Sequence, residues 1–117
     1  MKEGNIILDK TFQFGIRIIK LFKHLRKENV ERDLCLQLLR SGTSIGANAE
    51  EAIGGSSNKD FLYKLEIAYR EARETKYWLR LLKESFLLEE NLGSSFINDC
   101  DEILKILTAI IKTSKLK

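Results

Sequence analysis

Apolar residues recur along this chain at intervals of three and four, the spacing that stacks them on one face of an α-helix. The regularity is greatest between about Asn58 and Leu88. There Phe61, Leu65, Ala68, Ala72, Thr75, Leu79, Leu82 and Phe86 alternate steps of four and three without a break. A seam of this kind lets a helix lie along its neighbours at a shallow angle, as in a bundle. An earlier segment, about Asp9 to Lys27, places Phe14, Ile18, Leu21 and Leu25 on one face, and Phe12, Ile16, Ile19 and Phe22 form a second row expected to widen it. Between about Glu31 and Ile53, Leu34, Leu38, Ile45, Ala49 and Ala52 share a side. A last segment, about Ser95 to Thr113, carries Ile97, Cys100, Leu104, Leu107 and Ile111.

The breaks between these segments are short and polar. Glu28-Asn29-Val30-Glu31 separates the first two, and Gly54-Gly55 supplies a stop for the second. Ser57-Asn58-Lys59-Asp60 then reads as a capping-box variant, and Asn91 to Ser95 offers side chains to cap the fourth helix. Short connections force consecutive helices to run antiparallel. The expectation is an all-α, up-down-up-down four-helix bundle forming one domain over residues 1–117.

Composition narrows the class. The chain has 117 residues, no proline, 44% apolar and 32% charged residues, enough to build one core and too apolar for intrinsic disorder. No apolar run approaches the ~20 residues that cross a bilayer. The first dozen residues carry Lys2, Glu3, Asp9 and Lys10, unlike a secretory leader. Cys35 and Cys100 sit on apolar seams, as free buried thiols do, so a cytoplasmic protein is expected. Net charge is only +3, with the excess concentrated in residues 1–40, which hold nine basic and five acidic residues.

Three surfaces stand out beyond the core. Arg17, Lys20, His24 and Lys27 share a face of the first helix with Lys23 and Arg26 at its margins, a row suited to phosphate contacts. In the second helix Arg40, Ser44, Asn48 and Glu51 form a polar stripe beside the small residues Gly42 and Gly46. The stripe could hold a ligand, or join Glu71 or Glu74 of the third helix in a hydrogen-bond network. Contiguous apolar rows outside the seams, Tyr63, Ile67 and Trp78 on the third helix and Phe96, Ile103, Ile106 and Ile110 on the fourth, point to self-association.

Catalytic constellations are missing from the pattern. The lone histidine, His24, has no glutamate three residues before it, as a di-iron bundle requires. The glycines of Gly42-x-x-x-Gly46 lack the Lys-Ser/Thr of a phosphate loop. Neither a catalytic residue, a metal ligand nor a cofactor is therefore expected, and the chain is expected not to be an enzyme.

The stretch from Gln37 to Ala52, QLLRSGTSIGANAEEA, followed by DFLYKLEIA (Asp60–Ala68) and EARET (Glu71–Thr75), resembles a bacterial four-helix-bundle family. That family is named for open reading frames inside intervening sequences of 23S rRNA genes. Arg40-Ser41 with Thr43-Ser44-Ile45, Asn48 and Glu51, then Phe61 and Glu74, carries the likeness, which extends over nearly the whole chain. The chain departs from the common pattern at Gly46, often proline, and at Ala52, often glycine. The resemblance implies a non-enzymatic, cytoplasmic bundle that forms homopentameric rings. It also implies kinship with the accessory protein of diversity-generating retroelements, a basic pentamer that binds nucleic acid and a reverse transcriptase. Together with the basic row, this makes RNA or a ribonucleoprotein the expected partner. The alternative is a protein-interaction scaffold without nucleic-acid affinity.

Overall fold

The computed structural model describes residues 2–116, with side chains from Ile6 onward. Four helices follow one another: α1 (Lys2–Lys27), α2 (Arg32–Ile53), α3 (Asn58–Glu84) and α4 (Glu90–Lys115). Each is a single amphipathic stripe at alternating three- and four-residue steps. In α1 the fully covered positions are Ile7, Thr11, Phe14, Ile18, Leu21 and Leu25; in α4 they are Gly93, Phe96, Cys100, Ile103, Leu107, Ile110 and Ser114. A stripe this regular keeps facing the bundle axis over helices roughly 40 Å long. The bundle measures 47 × 20 × 18 Å, about one helix in length and two in each cross-section.

Contacts along the helices fix their directions. Gly42 of α2 faces Ile18 of α1 while Gly46 faces Thr11, so the two run antiparallel. Lys10 pairs with Glu102 and Arg17 with Asp99, which opposes α1 to α4. Glu66 pairs with Lys115 and Lys76 with Asp101, which opposes α3 to α4. The up-down-up-down order follows. Consecutive helices pack closely, whereas α1 and α4 meet least closely of the adjacent pairs. Their seam is closed partly by the ion pairs just named and by Phe14 against Phe96, edge to face at 6.2 Å.

Helix ends account for the main differences from expectation. α3 stops at Glu84 and not at Leu88. Phe86 adopts a left-handed φ of 62° and stands 93% exposed, outside the seam it was expected to end. Leu88 is buried in its place. The Leu87 and Phe86 amides donate to the Leu82 and Lys83 carbonyls, a Schellman termination. Asn29, also at φ 62°, ends α1 the same way, with Val30 N–H donating to Leu25 O. Residues 91–95 are not a break: α4 begins at Glu90, and Glu89 caps it by accepting from the Leu92 amide at 2.8 Å. The early start accompanies a rotation of the inward face, so Phe96, Ile103 and Ile110 are buried while Ile97, Leu104 and Ile111 are half-covered.

Candidate functional site

From Arg17 to Lys27 the helix carries five basic residues and His24, with no acid among them. The structure divides this row. Arg17 is committed internally: its guanidinium pairs with Asp99, donates to Ser95 Oγ at 3.3 Å, and lies 4.0 Å above the Phe96 ring. A guanidinium held by a carboxylate and an aromatic face is less available to phosphate than an unpaired lysine, although Arg17 lines the same groove as Lys20. Arg26 donates to the Val30 carbonyl at 2.7 Å, closing the C-terminal end of α1. Lys20, Lys23, His24 and Lys27 remain exposed, and none has an ion pair among the described residues. Lys20 and His24, with Leu21, Leu92 and Phe96, line a shallow groove of ≈250 Å³ between α1 and α4. Further up the same seam, Lys10 and Arg17 are matched by Glu102 and Asp99, so along α1 the unpaired lysines fall in its C-terminal part.

The expected polar network does not form as one unit. Asn48 Nδ2 donates to Ser44 O at 2.9 Å and Ser44 Oγ at 3.2 Å, contacts within α2. Glu51 reaches across to Lys64 at 2.7 Å and holds that ammonium above its ordinary pKa through the hydrogen bond. Glu74 accepts from Trp78 Nε1 at 3.0 Å, one turn along α3. Arg40 is exposed, without an ion pair among the described residues. Arg40 and Glu51 at the ends of the stripe are exposed to competing water, while Ser44 and Asn48 within it are half-buried. Beside it, half-buried Glu71 has a pKa raised by burial and by the neighbouring Glu74 carboxylate.

Three of the residues expected at an oligomer interface belong to the core instead. Phe96, Ile103 and Ile110 are 3%, 2% and 6% exposed, because the face of α4 that carries them turns inward. Ile106, Ile67 and Trp78 are half-buried, and Tyr63 is exposed. A stronger apolar surface occurs where the second row of α1 was expected to thicken the core. Phe12 is 64% and Ile19 44% exposed, with Ile16 beside them. At 100° per residue this row points about 160° away from Phe14, Ile18 and Leu21, so both rows cannot face one axis. With Leu8, Gly15, Gly46 and Ala47 it lines a groove of ≈360 Å³ between α1 and α2 whose single charged residue is Glu50. Angular bookkeeping along α1 would have found it in the sequence.

Both thiols are buried. Burial pushes Cys100 up to about 12, with the carboxylates of Asp101 and Asp99 adding to the effect, and burial also raises Cys35. Neither presents a thiolate near neutral pH. Among the described residues no group of three or more His, Cys, Asp or Glu side chains is placed to hold a metal ion. No helix among them is long and apolar enough to cross a membrane.

The fold and surfaces define a small antiparallel four-helix bundle with a basic row on the C-terminal part of α1 and an open apolar groove. Residues 3–109 match the family model described as 23S rRNA-intervening sequence protein, and the chain belongs to that family. It is similar to a crystal structure of a protein with unknown function from the S23 ribosomal protein family of Bacteroides thetaiotaomicron. The TM-score is 0.91 and the identity 45%, covering 94% of this chain and 98% of that one. No curated protein matches the chain.

Proposed function

We propose that the protein is a non-enzymatic, cytoplasmic homo-oligomer, pentameric as the family resemblance implies, that binds RNA or a ribonucleoprotein through the basic end of α1. The observation that carries this reading is the set of unpaired side chains Lys20, Lys23 and Lys27, left free while the remaining cations of the α1/α4 seam are matched by carboxylates. Phosphate contacts by such lysines are independent of sequence and gain entropy from counterion release. One chain offers about three of them, a weak site. Repetition around an assembly multiplies the local charge without any new contact type.

Filter binding to structured RNA between about 50 and 200 mM salt tests the proposal. The log–log salt slope is expected near −3 for each protomer engaged, and Lys20→Glu with Lys23→Glu and Lys27→Glu should weaken binding at least tenfold, as a purely electrostatic contact requires. Absence of binding by the native chain at low salt ends the RNA reading. The scaffold alternative, favoured by the apolar groove, is what remains if light scattering then still finds an assembly.

A further inference from the structure

The apolar groove between α1 and α2 has a counterpart on the same chain. Along the outer side of α3, Tyr63, Ile67, Arg70, Tyr77 and Leu81 follow one another at steps of four, three, seven and four, a second heptad-like stripe turned away from the core. Tyr63 and Tyr77 are 63% and 53% exposed, so the stripe is a ridge of projecting side chains. The groove is the opposite shape, floored by Gly15, Gly46 and Ala47 and walled by Phe12 and Ile16. Glu50 in the groove has no ion-pair partner among the described residues, and on the ridge neither Arg70 nor Glu74 has one. Glu74, the ridge's carboxylate, already accepts a hydrogen bond from Trp78.

We infer that the α3 ridge of one copy seats in the α1/α2 groove of the next, with Arg70 meeting Glu50. This rests on the self-association proposed above and names its two surfaces. Both run along the bundle axis, so α3 enters the groove lengthwise as a third helix against α1 and α2. Because groove and ridge are different patches, the contact is heterologous and propagates head to tail. The order of packing around the bundle also bears on closure. α3 is the corner diagonal to α1, so in a square bundle its outer face and the α1/α2 edge are inclined by about 135°. An angle short of 180° curves the file of copies and does not leave it straight. Lys20 lies towards α4, clear of the groove, so assembly leaves it open, whereas Lys23 continues the groove's own row one turn beyond Ile19.

Light scattering after gel filtration of the full chain tests this with three variants: Glu50→Arg, Arg70→Glu and the double reversal. Each single change puts like charges together in an apolar contact and should raise the dissociation constant at least tenfold. The double variant restores opposite charges and should reassemble. Far-UV circular dichroism melts matching the native chain show that the exposed substitutions leave the fold intact. A native assembly indifferent to either single reversal, or a double variant that stays dissociated, overturns the pairing of these surfaces while leaving self-association standing. A native chain that is monomeric at micromolar concentration overturns both.

Discussion

At Gly42 a hydrogen atom stands where any larger group would strike Ile18: a Cβ built there lies 2.8 Å from Cγ1 and 2.9 Å from Cγ2. Ile18 is fully buried and β-branched, so it cannot swing aside cheaply. The glycine gives up helix propensity for a close approach of α1 and α2. Gly42→Ala should therefore cost about 1–2 kcal/mol in urea denaturation, with overpacking exceeding the propensity gained. Beside Ile18→Ala, which removes both γ carbons, the cost of Gly42→Ala should shrink; strictly additive losses would mean that another contact sets the glycine. The small-residue character of this stretch is visible in the sequence, but the group it accommodates is not. The same holds at Arg17. Helical spacing places it in the basic row, while its true partner, Asp99, lies on another helix 82 residues away. Local periodicity assigns a face to a charge and is silent on what crosses the gap to meet it.

The interiors of the elements follow from their hydrophobic spacing, and their ends follow from hydrogen bonds that spacing does not encode. The seam from Leu65 to Leu82 is buried throughout, whereas Phe86, one further step along the same pattern, lies beyond the turn. Nothing in the apolar count separates Phe86 from Leu88; what separates them is the left-handed residue that a Schellman termination requires. Asn29 suits that conformation, and phenylalanine does not. Since Phe86 buries almost nothing, Phe86→Gly removes the strain and sacrifices no packing. The substitution should stabilise the chain by about 0.5–1 kcal/mol after glycine's own entropy is counted, raising Tm by ~2–5 °C. A melting temperature that falls would show that the exposed ring has a contact in the assembled protein.

At the scale of the whole molecule, the four-helix order was legible because each turn is short and each stripe unbroken. The apolar groove was not, since a row of isoleucines and a phenylalanine reads as core until its angle to Phe14 and Ile18 is counted. The basic end was legible as composition and needed the fold to show which cations are spent. One further feature bears on how the chain reaches this state. Helices adjacent in sequence make the close packings, and the α1/α4 seam, the one packing of non-consecutive helices among the described residues, is looser and partly ion-paired. Low contact order of this kind places folding in the microsecond-to-millisecond range, and the expensive loop closure falls after the hairpins have formed. Arg17→Ala should then hasten unfolding while leaving the folding arm of a stopped-flow chevron nearly unchanged; a slowed folding arm would place the seam in the nucleus instead. The first and last helices thus act as a late clasp, and the lifetime of the native bundle, more than the speed of its formation, is set where α1 meets α4.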